Sequence, residues 1–454
     1  SKDYDSICNE FNTTISFNGL NLDNIRASFL TSPLITCLNV SSNNVQSINF
    51  NAFDGLPNLR YLDLSNNTFD SNYFFYNGLS NLETLILDGN GHYTEKIYDY
   101  RDYNWFRSNK IQISVVYPKL RKLFARNFIY PLIITTTSKS NFPTLTHLYL
   151  SGSKIRENDF DWLPDSLEYL DLSGHGFKSF TLKNLKNLTH IILDNPSEDG
   201  LSEIDFANLV NLQYLSASSN QISVITSTTF ANLSSLLFLD LTNNSISRID
   251  EGVFNGMANL KFLKLSSNNI DFLESGIFDK LNNLETLALD KNVVSVFPVV
   301  QNEMKLKELF LNCNKIQMIV GGVFSKMKYL EILHLHDNEI LYIYPETFAG
   351  LENLKILTLS YNNLSTLPYN WMSPMTSLEN LDLTGNNITD LADLSLSNLS
   401  PIRNLYLSNQ LRSIKTSSLN DIPKNLTISL DSDYVFINKC VKSSEKYPIY
   451  NNYD

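Results

Sequence analysis

Leu59-Arg60-Tyr61-Leu62-Asp63-Leu64-Ser65-Asn66-Asn67 sets leucine at the first, fourth and sixth places and asparagine at the ninth. Working outward from it, the same pattern, LxxLxLxxN, returns at Leu236 to Asn244, Leu260 to Asn268, Leu284 to Asn292, Leu330 to Asn338, Leu354 to Asn362 and Leu378 to Asn386. The closing asparagines at 220, 244, 268 and 292 are 24 residues apart, as are those at 314, 338, 362 and 386. About sixteen or seventeen copies fit between Ile35 and Asp433, and a register held that long is the mark of stacked structural repeats. Each position has a physical reason. The leucines point into a shared core, and the closing amide bonds backbone groups that a tight repeated turn would otherwise bury unpaired. A second column, Phe206, Phe230, Phe254, Phe278, Phe324 and Phe348, recurs on the far side of the coil and fills the other half of the core. One coil cannot bury both faces alone, so the stability expected is a sum over neighbours.

Composition narrows the class. Apolar residues make up 43% of the 454, ample for a core, yet no apolar run reaches the eighteen or so residues a membrane helix needs. No membrane insertion is expected within the chain. The first residues, Ser1-Lys2-Asp3, carry no charged-then-apolar leader, so either a signal peptide has been removed, which is the expectation, or none existed. The net charge of −12, with no basic block, disfavours nucleic acid as a partner. There is no GxSxG, no HExxH, no phosphate-binding glycine loop and no dinucleotide fingerprint, so neither enzyme chemistry nor a cofactor is expected.

The repeat resembles the typical extracellular class of leucine-rich repeats, as in Toll and Toll-like receptor ectodomains, chaoptin-like adhesion proteins and the leucine-rich immune proteins of arthropod haemolymph. The resemblance covers about nine tenths of the chain. It implies an α/β solenoid, a leucine-rich-repeat horseshoe with a parallel β-sheet on its concave face. The organisation expected is an N-terminal cap at 1–34, a solenoid at 35–433 and a C-terminal cap remnant and tail at 434–454. Toll-type ectodomains close with a multi-cysteine cap, whereas here only Cys440 follows the last coil.

Two breaks in register stand out. At 91–119 the chain spends about fourteen residues more than a coil needs, and the 91–107 stretch carries Tyr98, Tyr100, Tyr103, Trp105 and Phe106. Long loops on a repetitive scaffold and rigid aromatic anchors both favour binding, set against a loop that folds back over its own coil. In the next four coils the ninth place holds Phe128, Ser153, His175 and Pro196 instead of asparagine, which predicts a loss of the regular turn hydrogen bonds.

Strand side chains alternate, so the third, fifth and seventh places face the concave side. Read coil by coil, they give an aromatic stripe, Tyr169, His190, Tyr214, Phe238 and Phe262, extended by His147, Tyr149 and Phe124. A contiguous exposed aromatic patch points to binding; the competing account is stacking that only stabilises the sheet. Asp63, Asp171, Asp240 and Asp382 at the fifth place, with Asp88, Asp194 and Asp290 at the seventh, either select a basic partner or are solvated surface. His334 and His336 lie two apart on one strand, which permits a metal contact or a pH-sensitive patch. With no further ligand in the pattern, no metal is expected.

Cys8 and Cys37 are expected to pair and tie down the cap. Cys313 and Cys440 are separated by about five coils, roughly 20 to 25 Å at strand spacing, beyond the 7 Å that a disulfide spans. Each is therefore expected to be free or joined to another chain, with Cys440 the candidate for a homodimer or heterodimer link. Sequons place candidate glycans at Asn12, Asn66, Asn187, Asn232, Asn243, Asn363, Asn387, Asn398 and Asn425; an additional sequon, Asn39, points to the concave face. Taken together, the chain reads as a secreted binding protein that recognises a protein or microbial ligand through its concave face and the 91–107 insertion. For similar proteins the commonest setting is innate immunity. The alternatives are a non-catalytic carrier or stabilising subunit of an extracellular complex, and the ectodomain of a receptor or adhesion protein.

Overall fold

The computed structural model describes residues 13–68, 78–90, 110–113, 115–128, 133–136, 141–153, 160, 162–176, 178–182, 185–195, 200–206, 209–396, 401–408, 411–412, 414–419 and 422–430. Two compact units divide the chain, unit 1 at Ser1–Leu260 and unit 2 at Lys261–Asp454. Each is a parallel β-solenoid in which every coil contributes one short strand.

In unit 1 the strands are β1 (Thr14–Ser16), β2 (Cys37–Asn39), β3 (Tyr61–Asp63), β4 (Thr84–Ile86), β5 (Lys122–Phe124), β6 (His147–Tyr149), β7 (Tyr169–Asp171), β8 (His190–Ile192), β9 (Tyr214–Ser216) and β10 (Phe238–Asp240). Each pairs in parallel with the next. Among the described residues the ladder thus begins at Thr14, inside the 1–34 segment read from the sequence as a cap. In unit 2 they are β11 (Phe262–Lys264), β12 (Thr286–Ala288), β13 (Glu308–Phe310), β14 (Ile332–His334), β15 (Ile356–Thr358), β16 (Asn380–Asp382), β17 (Asn404–Tyr406) and β18 (Thr427–Ser429), again parallel from neighbour to neighbour.

These strands are the third, fourth and fifth places of the repeat, and they pair place for place: Tyr169 opposite His190, Leu170 opposite Ile191, Asp171 opposite Ile192. A slip of one residue would turn every leucine to solvent, so the buried fourth place holds the register. Four short outer pairs back the coils of unit 1, among them Lys110–Ile113 with Ile133–Thr136 and Ser179–Thr181 with Glu203–Asp205.

The far-side aromatic column is fully buried. Phe206 and Phe230 stack with centroids 6.5 Å apart in unit 1. In unit 2 the column runs through Phe278, Phe297, Phe324 and Phe348 to Trp371, whose indole N–H donates to the Leu394 carbonyl at 2.9 Å.

The asparagine ladder follows one scheme. Asn292 Nδ2 donates to the Leu289 carbonyl of its own coil (3.0 Å) and the Leu265 carbonyl of the coil before (2.9 Å), while Oδ1 accepts from Ile270 N at 3.0 Å. Asn67, Asn244, Asn314, Asn338 and Asn362 repeat it. The turn just before the closing residue needs a positive φ, supplied by glycine at 89, 152, 174 and 385 and by other residues in further coils, such as Asn66, Ser267, Lys291 and Tyr361. A non-glycine residue there carries some strain, which the bonded turn holds in place.

The predicted loss of turn bonding is corrected at one of the four coils. Ser153 Oγ donates to the Ala125 carbonyl at 2.7 Å and accepts from Phe128 N at 3.1 Å, so one hydroxyl does both jobs of the amide. His175 works the other way round, with Nε2 bonded to the Leu193 carbonyl of the following coil at 3.0 Å. Burial holds this imidazole down at about 4, so it is neutral and donates that bond.

Candidate binding surface

The third and fifth places of β5 to β10 put a run of rings on one face of the unit 1 sheet, because alternate side chains of a strand share a side. Phe124 stacks on Tyr149 at 4.3 Å and 2°, and Tyr149 meets Tyr169 at 4.9 Å. From there the third place continues across strands: His147 to Tyr169 at 5.6 Å, Tyr169 to His190 at 5.7 Å, His190 to Tyr214 at 5.7 Å and Tyr214 to Phe238 at 4.4 Å. Six of the seven are half-buried. Phe124 is the exception: only 8% exposed, it packs into a cluster with Cys37, Tyr61 and Ile86. It is a covered member of the same face, stacked side by side with Tyr149, and its expected place in the exposed stripe is corrected. The neighbouring positions Tyr61, Asp63, Thr84 and Ile86 are buried as well.

At this end Arg126 closes the row. Its guanidinium lies 5.3 Å from the Phe124 ring centre and 5.9 Å from that of Tyr149, and it grips Asp88 through Nε at 2.9 Å and Nη2 at 2.6 Å. Burial pushes the Asp88 carboxyl up to about 7, against the pull of the Arg126 backbone amide that it also accepts.

The two histidines in the row are oriented identically. Thr146 Oγ1 lies 3.1 Å from the Arg121 carbonyl and 2.9 Å from His147 Nδ1; Thr189 Oγ1 lies 2.9 Å from the Glu168 carbonyl and 2.9 Å from His190 Nδ1. Each of these carbonyls also accepts two backbone N–H bonds, from Thr146 and His147 and from Thr189 and His190, so the hydroxyl stands between carbonyl and imidazole and anchors the ring through Nδ1. Burial lowers both pKa values, with Lys122 adding to the effect at His147 and Glu168 opposing it. The phenols of Tyr169 and Tyr214 are pushed up, first by burial and then by Asp171 at the former and by Asp194 and Asp240 at the latter. Asp194 itself is raised by burial, although Ser216 Oγ (2.6 Å) and Ser218 N (2.8 Å) both donate to it.

A leucine-rich-repeat family model matches residues 14–69, 33–91, 211–270, 304–364 and 328–388, on coils whose strands and turn amides have just been described. The chain is a leucine-rich-repeat protein. No curated protein sequence matches it. Among solved structures, the leucine-rich-repeat chain is similar to a chain of the Drosophila Toll–Spatzle complex, with a TM-score of 0.61 and 20% identity over 88% of this chain and 57% of that one. It thus spans little more than half the length of that relative. A Leptospira interrogans leucine-rich-repeat protein aligns with a TM-score of 0.53 and 20% identity, covering 92% of this chain and 95% of that one. YopM from Yersinia enterocolitica gives 0.52 and 19%, covering 92% and 91%. These likenesses are of fold.

The remaining predicted positions of the leucine-rich-repeat protein fall as follows. Phe262 lies on β11 of unit 2, half-buried. Tyr98, Tyr100, Tyr103, Trp105 and Phe106, with the whole 91–107 stretch, lie outside the described residues, as do Cys8, Cys440, Asn12 and Asn398. Asn66, Asn187, Asn232, Asn243, Asn363, Asn387 and Asn425 are exposed, whereas Asn39 is partly buried and its Oδ1 accepts from Ser41.

Cys37 and Cys313 are each disulfide-bonded, with partners outside the described residues. For Cys313 this corrects the expectation of a free or interchain thiol. Counting coils fixes distances only between residues within coils, and a cysteine beyond them is not held to that spacing. No helix among the described residues is long and apolar enough to cross a membrane.

In unit 2, His334 and His336 converge as their spacing implied, both with Nδ1 2.9 Å from Thr358 Oγ1. The single hydroxyl proton can serve only one of them, so at least one ring donates from Nδ1. Burial holds them at about 4 and about 3. Sequence reasoning missed that Cys313 and Asp337 approach His336, with all three ligand atoms within 4.8 Å of one another; they come from adjacent coils, and a disulfide-bonded sulfur offers no thiolate to a metal. It also passed over an exposed apolar row in unit 2, Phe272, Val296, Met318 and Tyr342, one residue per coil.

Proposed function

We propose that this leucine-rich-repeat protein is a secreted, non-catalytic recognition protein that binds a protein partner across the ring-bearing face of unit 1. The 91–107 insertion contributes further aromatic anchors, the disulfide-bonded cysteines and the exposed sequons suit an extracellular setting, and the physiological role is innate immune recognition. One observation carries the reading: a stacked row from His147 to Phe238 stays half-buried on a sheet face whose leucines already satisfy the core. Rigid aromatic side chains lose little entropy when they are covered, which is why they anchor interfaces.

The test is capture on immobilised protein from the source material, with the retained partner identified by mass spectrometry. A triple variant, Tyr169→Ala, Tyr214→Ala and Phe238→Ala, should lose at least tenfold in affinity for that partner and still melt as a folded solenoid. A partner held equally well by the variant removes this face from consideration.

A further inference from the structure

The third place of the repeat is half-buried on every strand from β5 to β17, and on β1 it is exposed. On β2, β3 and β4 it is closed: Cys37 is 0% exposed, Tyr61 1% and Thr84 8%. Neighbours within the sheet do not explain this. Tyr61 stands between Cys37 and Thr84, whereas the half-buried Tyr169 stands between the larger His147 and His190, so Tyr61 should be the more open of the two tyrosines. The closed strip goes on through the fifth places Asp63, Ile86 and Phe124, and Tyr61, Asp63 and Phe124 take part in interactions beyond those of the sheet. Some part of the chain therefore lies over this face. We propose that the cover is the segment 1–12, bonded to Cys37 through Cys8 and laid along the hollow of the first coils, where it occupies one end of the recognition face.

Cys37 supplies the anchor. Its side chain points to the concave side from the third place and is disulfide-bonded, so the backbone of its partner passes within about 7 Å on that side. The Cys37 backbone N–H donates to the Thr13 carbonyl at 3.2 Å, and Cys8 is five residues before Thr13, within roughly 17 Å of extended chain. From the bond, Ser1 to Ile7 have length to spare: β2 to β5 is three strand steps, roughly 14 Å, which about five extended residues span. Tyr4 and Ile7 offer apolar surface to a strip whose cluster is Cys37, Tyr61, Ile86 and Phe124. The 91–107 stretch is placed differently: the chain leaves the closing turn at Asn90 and is next described in the outer ladder at Lys110, so both ends are away from the hollow. The consequence for binding rests on the recognition reading above. Phe124 stacks on Tyr149 at 4.3 Å, so the closed strip and the open ring row are one surface. The segment holds the first part of it as a tethered occupant at high effective concentration, and a partner's reach along the row ends at Tyr149.

The test has two parts, and neither needs the partner. Peptide mapping of the full chain under non-reducing conditions should recover Cys8 joined to Cys37; a Cys37–Cys440 bond overturns the proposal. Hydroxyl-radical footprinting of the folded full chain then reads the cover directly, and Tyr61 should be modified severalfold more slowly than Tyr169. Its rate should rise severalfold, toward that of Tyr169, in a variant lacking residues 1–7 and in one carrying Tyr4→Ser with Ile7→Ser, each checked by thermal melting. The point variant keeps the reading available if the deletion does not fold. Tyr61 as reactive as Tyr169 in the intact chain overturns the proposal, and so does a Tyr61 freed by removing 91–107 and indifferent to 1–7, which would give the place to the insertion. If Tyr61 is freed as expected but the captured partner ignores the changes at Tyr169, Tyr214 and Phe238, the recognition reading falls and the cover stands; if Tyr61 does not respond and that partner is lost, the cover falls and the recognition face stands.

Discussion

The same coil is put to different ends in the two units. In unit 2 the second place of the repeat alternates in sign over seven coils: Lys261, Glu285, Lys307, Glu331, Lys355, Glu379 and Arg403. Glu285 is held by Lys307 at 2.8 Å and Lys261 at 3.4 Å, and Glu331 by Lys355 at 2.7 Å. Unit 1 starts the same way, with Arg60 on Glu83 at 2.9 Å, and then abandons the alternation where the rings begin. There Glu168 follows Thr146, and Thr189, Gln213 and Leu237 come next. One stretch of surface neutralises its own charges; the other leaves carboxylates beside stacked rings. The leucine core is indifferent to both, so charge pairing on the strand flanks is a guide to which stretch is built to meet something else.

The largest expected effect comes from the buried histidines of unit 2. Their folded pKa values lie below the ordinary value of about 6.5, so below that pH the unfolded chain takes up protons that the folded one refuses. Their contribution to stability is complete above pH 6.5 and is lost as pH falls toward 4, by up to about 1.4 kcal/mol per pH unit for each ring. Thermal melts from pH 7 to pH 4 should show this slope, and His334→Asn with His336→Asn should flatten it; an unchanged slope would mean that these rings titrate freely.

Next comes the turn ladder. Asn292→Ala leaves the Ile270 N–H without its acceptor and takes one of two amide donors from each of the Leu265 and Leu289 carbonyls, which keep Asn268 and Asn314; it should destabilise by about 2 kcal/mol, read as a lower urea midpoint. Ser153→Ala removes one hydroxyl from the Ala125 carbonyl and the Phe128 N–H in unit 1 and should cost about as much. No loss from either would show that water replaces the ladder.

The smallest effect sharpens the charge comparison itself. Glu285→Gln breaks an exposed pair of ion pairs and should lower stability by no more than about 1 kcal/mol, an effect that fades in high salt. Glu168→Gln, with no partner to lose, should leave the melting temperature where it was. A larger loss from Glu168→Gln than from Glu285→Gln would invert the assignment of the two surfaces.

Much of the candidate site was legible because a period of two places Tyr169, Tyr214 and Phe238 on one face as soon as the leucines are assigned. The alternating charges from Lys261 to Arg403 were equally readable, at steps of 24 residues with one of 22, but the second place lies outside the third, fifth and seventh places read for the face and so was not followed. Other features could not be read. Phe124 carries the same position label as Tyr149, and only packing decides that one is covered and the other open. The contacts of Thr146 and Thr189 with the His147 and His190 imidazoles depend on side-chain rotamers, which spacing does not encode.

Sequence alone determined the solenoid, its register and the facing of each side chain, because a buried leucine at the fourth place fixes strand alternation without reference to anything distant. Tertiary structure decided which of those outward positions are covered, that Ser153 stands in for an asparagine, that Cys313 is bonded, and that the rings of unit 1 stack across strands. Each of these depends on atoms brought together from different coils, and separation along the chain carries no information about such meetings.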